Sequence, residues 1–140
     1  MHHIIYGSRA TQPLSDDDLL TLLLQARSHN QLHGISGALV YSNGQFMQVI
    51  EGEEEVLAAL YERLLRDPRH TQLVKYADKA IAERSFSEWS MAFQPVSEAQ
   101  FAGLLGYLPA RHFASTAPEL GRADGLLLSM MKELVSEPLA

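Results

Sequence analysis

The segment GQFMQVIEG, Gly44 to Gly52, places a glutamine inside an apolar run. Side chains in a strand alternate faces, so Phe46, Gln48 and Ile50 share one face and Met47 and Val49 the other. Apolar residues on both faces predict burial on both sides, and Gln48 then carries two amide donors and an acceptor into the interior. Leaving such a group unpaired costs about 1–3 kcal/mol, so it needs a partner. Tyr6 lies in another apolar run, Asn30 near the end of a helical segment, and Trp89 and Met91 two residues apart. Arg63 and Asp67 are four apart, which puts both on one helix face. Taken alone, they read as a solvated ion pair worth at most about 0.5 kcal/mol. His29 and His33 have the same spacing and could present two metal ligands, but no third accompanies them and two surface histidines are the simpler reading.

These side chains need a scaffold. HHIIYGS, His2 to Ser8, reads as a short strand. After Pro13 comes a helix start: Ser15 as cap, Asp16 to Asp18 at the positive end of the dipole, then an apolar stripe of Leu19, Leu22, Leu23 and Ala26, with Gly34 as stop. Ile35 to Tyr41 and the Gly44–Gly52 run are separated by Ser42-Asn43-Gly44, and Asn-Gly between apolar runs predicts a hairpin. A second helix runs from about Glu53 to Asp67 and ends at Pro68, with Val56, Leu57, Leu60, Tyr61 and Leu64 facing inward. Strands are expected within Thr71–Ile81 and over Glu88–Gln94, the latter placing Trp89 and Met91 on one face.

The order is β-α-β-β-α-β-β, an α+β, ferredoxin-like pattern with one added strand. Strands one and three are expected side by side at the centre, parallel, with both helices on one face of the sheet. Tyr6 and Gln48 then sit on neighbouring strands. Two further helices, Ser97 to Leu108 and Pro118 to Glu137, are expected to cover the other face. Leu127, Met131, Leu134 and Val135 would face the core, while Leu126, Leu128 and Met130 widen the stripe and leave apolar surface for a partner. This divides the chain into a core over residues 1–94 and a helical cap and output or oligomerisation segment over 95–140.

The 140 residues suffice for one domain with a real core. Hydrophobic content of 46% with 20% charged residues is that of a globular protein. No apolar run approaches the ~18 residues that cross a bilayer, and MHHIIYGSRA lacks the basic start and apolar stretch of a signal peptide. A cytoplasmic location is therefore expected. Cysteine is absent, which excludes disulfides, thiolate metal sites and cysteinyl adducts. With a formal net charge of −6 and no basic stripe, nucleic acid is not an expected partner.

Four stretches together resemble one family: YGSRA at Tyr6–Ala10, HNQLHGISGALVY at His29–Tyr41, GQFMQVIEG, and RSFSEWSM at Arg84–Met91. They resemble the BLUF domain, a blue-light sensor holding FAD without a covalent bond, over roughly residues 1–94. The resemblance implies that Gln48 bridges the flavin and Tyr6, with the isoalloxazine ring between the two helices. It implies that Asn30 bonds the ring's polar edge, that Arg63 and Asp67 contact the flavin, and that His29, Phe46 and Met91 belong to the same site. Trp89 and Met91 would relay the signal. FAD is the implied cofactor, with FMN as the other candidate. Ser36 departs from the Thr common in the family, keeping a hydroxyl and losing a methyl. A phenol can donate an electron and then a proton to a photo-excited flavin, and a neutral amide can reorient at little electrostatic cost. The implied photoreaction thus moves an electron and a proton from Tyr6 through Gln48 and leaves Gln48 rearranged.

No catalytic activity is expected, and the chain leaves no room for a cyclase, phosphodiesterase or DNA-binding domain after residue 94. Output would go through self-association or a separate effector protein. Two other readings compete with this one. A light-insensitive oligomerisation or adaptor module of the same fold is opposed by the retention of Tyr6, Asn30, Gln48 and Met91. An acylphosphatase-like hydrolase would use Arg9 and Asn43, but SRATQPL contains no glycine for a phosphate-cradling loop.

Overall fold

The structure, a computed structural model, describes residues 1–87, 89–105, 128–129 and 131–135. The elements are β1 (His2–Ala10), α1 (Asp16–His33), β2 (Ser36–Ser42), β3 (Gln45–Gly52), α2 (Glu54–Arg66), β4 (His70–Ala80), β5 (Ala92–Pro95) and α3 (Glu98–Leu105). Residues 128–129 and 131–135 are also helical. Among the described residues no helix is long and apolar enough to cross a membrane.

Local signals account for the first three elements after β1. Ser15 Oγ accepts the Asp18 N–H while the Asp18 carboxylate accepts the Ser15 N–H, a reciprocal box that satisfies two donors at the start of α1. Gly34 ends the helix in the left-handed region at φ 67, its N–H donated to the Asn30 carbonyl. The turn from β2 to β3 has φ 46 at Asn43 and φ 81 at Gly44, the two positive values a tight two-residue hairpin demands.

The five strands form one sheet in the order β4-β1-β3-β2-β5. β1 and β3 are central neighbours as expected, but they run antiparallel, with Tyr6 opposite Gln48. The parallel expectation fails for a topological reason. The α1 crossover returns β2 in the direction of β1, and the hairpin then reverses β3. Among the described residues only β2 and β5 pair in parallel.

The two faces carry separate cores. On one, α1 and α2 cover Ile4, Tyr6, Leu39, Phe46 and Ile50 with Leu23, Leu57 and Tyr61. On the other, Ile5, Val40, Met47 and Val49 are packed by Phe101 and Leu104 of α3 and by Met131 and Leu134. The alternation along β3 and the cover of the second face by C-terminal helices are therefore as expected. The expected contributions of Leu126, Leu127 and Met130 lie outside the described residues.

Candidate functional site

Between α1 and α2 lies a cavity of about 330 Å³, at the small end of the ~300–1,000 Å³ common for ligand sites. Leu22 and Ala26 of α1 face Leu60 and Leu64 of α2 across it, over a floor of Leu39, Phe46 and Gln48. His29, Asn30, Arg63 and Asp67 add polar groups, with Gln25, Arg69 and His70 at the rim.

The partner of Gln48 is Tyr6. The Tyr6 hydroxyl donates to Gln48 Oε1. Their positions oppose each other in the β1–β3 ladder, so both side chains rise from the same face. The Gln48 amide nitrogen points at Met91 Sδ, 3.6 Å away, a weak acceptor. Tyr6 is 2% exposed, and the Tyr61 ring stands edge-on to it with centroids 5.5 Å apart. Burial first, and Tyr61 second, push the Tyr6 phenol far above its ordinary range, so it keeps its proton.

Asn30 is buried at the end of α1, and its Nδ2 donates to the Ser90 carbonyl at 2.6 Å. Arg27 Nε donates to the Met91 carbonyl at 3.0 Å. These bonds hold the segment preceding β5, where the sequence reading needs correction. Trp89 and Met91 are not in a strand and do not share a face. β5 begins at Ala92, and Glu88 lies outside the described residues. Met91 belongs to the cavity-side core, whereas Trp89 packs against the opposite core. Two-residue alternation requires an extended ladder strand. Here the chain bends at Ser90 and Met91 and, among the described residues, meets the β2 backbone through the bond from Gly37 N–H to the Trp89 carbonyl before the ladder starts. Met91 contacts Gln48 within the cavity-side core and is not among the residues that line the cavity.

Arg63 and Asp67 both reach the cavity, but not as a pair. Asp67 has left the helix, with ψ 119 at the C-cap. Its carboxylate accepts from Arg69 Nε at 3.1 Å and Nη2 at 2.7 Å. Arg69 Nη1 also donates to Gln25 Oε1 at 2.7 Å, so Arg69 straps α1 to the end of α2 across the cavity rim. The hydrogen bonds from Arg69 hold the Asp67 carboxyl below its ordinary range. Burial pushes His29 and His70 below the ordinary 6.5. His29 Nδ1 is buried without a hydrogen-bond partner, and the ring stacks on His33 at 4.2 Å. Arg69, Gln25 and His70 were not anticipated. The available signal was Asp67-Pro68-Arg69, a turn in which the Asp67 side chain accepts the Arg69 N–H at 2.9 Å. Asn43, weighed with Arg9 for a hydrolase, donates instead to Glu98 at 2.8 Å.

A family model described as BLUF, sensors of blue-light using FAD, matches residues 1–92. The photoactivated adenylate cyclase subunit beta of Euglena longa is 37% identical over 89 residues, 63% of this chain and 10% of that one. Subunit alpha of Euglena gracilis is 33% identical over 93 residues, 65% and 9% of the respective chains. The chain thus spans about a tenth of the length of the curated relatives it matches. Among solved structures, BlsA in its photo-activated state superposes with a TM-score of 0.75 at 26% identity, covering 99% of this chain and 97% of the other. Klebsiella pneumoniae BlrP1 with FMN and cyclic diGMP gives 0.66 at 27%, covering 91% and 34%. The dark-state structure of BlrB shares the fold, with a TM-score of 0.70 at 24% identity, covering 94% and 95%. The chain belongs to the BLUF family of blue-light sensors.

Proposed function

We propose that this chain senses blue light through a flavin held non-covalently in the cavity between α1 and α2, with FAD as the nucleotide and Tyr6 and Gln48 as the photoactive pair. The observation that carries this reading is the hydrogen bond from Tyr6 to Gln48, whose amide lines the cavity floor. The residues present fit the group. Apolar walls from Leu22, Ala26, Leu60 and Leu64 suit a flat aromatic ring. The amides of Asn30 and Gln48 and the unpartnered His29 Nδ1 offer both donors and acceptors to a ring edge of carbonyls and imide nitrogen. Arg63, Asp67, Phe46, His29 and Met91 complete the binding set in this reading, Met91 through its contact with Gln48.

A bound flavin supplies absorption of blue light and an excited state that takes up an electron. Tyr6 provides that electron and its hydroxyl proton. The phenol is protonated in the dark because burial opposes the phenolate. Gln48 accepts that proton at Oε1 and can release one from Nε2, so it moves a proton without ever carrying an isolated charge for long. After the charges return, Gln48 remains in a different orientation or tautomer. The bond from Gln48 to Met91 is the contact that must then change, and Trp89 and the helices beyond it carry the change outward. Residues 1–94 form the sensor in this scheme, and residues 95–140 cap the sheet and pass the signal to a second copy or a separate effector. FMN, present in the BlrP1 structure, is the alternative nucleotide.

The test is the visible spectrum of the purified protein in the dark and just after blue light. A structured flavin band that shifts slightly to the red and relaxes in the dark is the expected result. A colourless protein that refuses added FAD and FMN would overturn the reading and leave an interaction module of the same fold.

A further inference from the structure

Glu51 is an unexpected residue in this molecule. It lies in the buried run that closes β3, its side chain is sealed from solvent at 0% exposure, and it makes no direct ion pair among the described residues. Carboxylates are rarely buried without such a partner. Its oxygens are fully engaged all the same. Oε1 accepts from Ser36 Oγ at 3.0 Å and from the Phe86 N–H at 2.9 Å, and Oε2 accepts from the Ser85 N–H at 2.6 Å. Three donors converge, so the site demands a side chain that only accepts. Arg84 closes the cluster from outside. Its Nη1 donates to Ser36 Oγ at 2.8 Å and to the Glu51 carbonyl at 3.2 Å, and its Nη2 donates to the Gly34 carbonyl at 2.7 Å.

What this cluster holds is the start of the segment that ends in Met91. Beyond Phe86 the segment is pinned again, by Gly37 N–H on the Trp89 carbonyl, Asn30 on Ser90 and Arg27 on Met91. Among its described residues this stretch has no ladder bonds, so these separate anchors set its course. Its first anchored ring, Phe86, is 1% exposed, 5.9 Å from the Trp89 ring, and lies in the core shared with α3, Met131 and Leu134. Its last anchored side chain, Met91, meets the Gln48 amide nitrogen at 3.6 Å. Glu51 is three residues from Gln48 on the same strand and points to the opposite face.

We propose that Glu51, bridged to Arg84 through Ser36, is a positioning residue that latches residues 84–87 to β3, and so sets both the reach of Met91 to Gln48 and the seating of Phe86 and Trp89 against the C-terminal helices. This rests on the photoreceptor reading for its consequence, though not for the latch itself. Ser36 needs only its hydroxyl for the bridge, so threonine serves equally.

The experiment compares the full-length protein with Glu51→Gln, Ser36→Ala and Ser36→Thr. The amide of Glu51→Gln presents a donor where one of the three donors now lands. Hydrogen exchange at residues 85, 86 and 89–91 should accelerate about tenfold, with β1 and β3 protection unchanged. The Met91 methyl NMR signal should shift or broaden in the dark protein. With flavin bound, the lifetime of the red-shifted state should change by at least about threefold. Ser36→Ala should move all three readouts in the same direction and Ser36→Thr should leave them at wild-type values. Unchanged exchange in the segment would overturn the latch, as would a uniform loss of protection across the sheet. Faster exchange with an unmoved methyl signal and lifetime would overturn its positioning role. If Glu51→Gln fails to fold, the Ser36 pair decides alone. A wild-type protein with no red shift would sink the photoreceptor reading by itself, because exchange and the methyl signal still judge the latch.

Discussion

Tyr6 and Gln48 should behave as a coupled pair, and a double-mutant cycle measures the coupling. Tyr6→Phe keeps the ring and removes the hydroxyl, leaving Gln48 Oε1 without its donor. Gln48→Leu removes the acceptor and strands the phenol at a site only 2% exposed. Stranding the buried phenol costs about 1–3 kcal/mol, whereas the half-buried Gln48 amide faces the cavity and its lost bond costs nearer the low end of that range. The double variant leaves neither, because an apolar pair of similar shape replaces a satisfied one. Its cost should fall short of the sum of the singles by about 1–2 kcal/mol. The assay is urea denaturation of the flavin-free proteins followed by circular dichroism, with m-values compared so that only stability is being read. Light-minus-dark difference spectra of the flavin-loaded forms provide the second arm. Both single variants should bind flavin and lose the red shift. Additivity within about 0.5 kcal/mol would show that the pair is not energetically joined. A red shift surviving in either single variant would refute the assigned chemistry whatever the stabilities.

Three further outcomes are expected. Gly37→Ala should abolish soluble folded protein or lower stability by about 4 kcal/mol or more, as read from expression and melting, since a Cβ there runs into the Val49 carbonyl in the middle of the sheet. His29 and His70 are both held below 6.5 by burial, so below pH 6.5 the unfolded chain binds more protons than the folded one. The stability they contribute is whole above pH 6.5 and is lost as pH falls through their lowered values. Melting temperatures measured from pH 7.5 to 5 should fall accordingly, and His70→Asn should flatten the slope. The loss belonging to Asp67 sets in only below about 3.8, which separates the two effects. Arg69→Ala removes the strap between Gln25 and Asp67, and flavin release followed by recovered fluorescence should quicken about tenfold, consistent with the loss of charge-assisted bonds.

Much of this architecture is legible because its signals are local. Ser15 with Asp18, Gly34, and Asn43-Gly44 each specify a backbone conformation within a few residues. The contact between Gln48 and Tyr6 is legible only through the family resemblance, because the side-by-side placement of β1 and β3 does not by itself bring the two residues opposite each other. What failed depended on direction or on distance. The antiparallel sense of β1 and β3 follows from counting chain reversals, not from any residue. Trp89 and Met91 were assigned by extending strand alternation into a stretch whose backbone is held by Gly37, Asn30 and Arg27 instead of a ladder. Arg69 reaches the cavity only because the turn at Pro68 brings it round, and its contact to Gln25 spans 44 positions. Glu51 was invisible as a buried group because glutamate at a strand end is ordinarily solvated.

The β3 strand explains why one small sheet can serve both a cavity and a distant surface. Its alternation puts Phe46, Gln48 and Ile50 under the two helices, and Met47, Val49 and Glu51 on the face covered by α3 and the C-terminal helix. Gln48 and Glu51 are three residues apart, so they lie on opposite sides at a separation of about 10 Å along the strand. A change at Gln48 need not travel through a long chain of contacts to reach the far face. It meets Met91 directly, and Met91 ends a segment whose beginning is fixed by Glu51 on the same strand. The segment is therefore tied to one strand at both ends while its middle, Trp89, rests on the opposite core. Such a loop cannot follow a displaced Met91 without either bending at Ser90 or shifting Trp89, and the bond from Asn30 to the Ser90 carbonyl opposes the bend. In the proposed photoreceptor, displacement of Trp89 is then the outcome to expect, because Trp89 packs on the core that includes Met131 and Leu134.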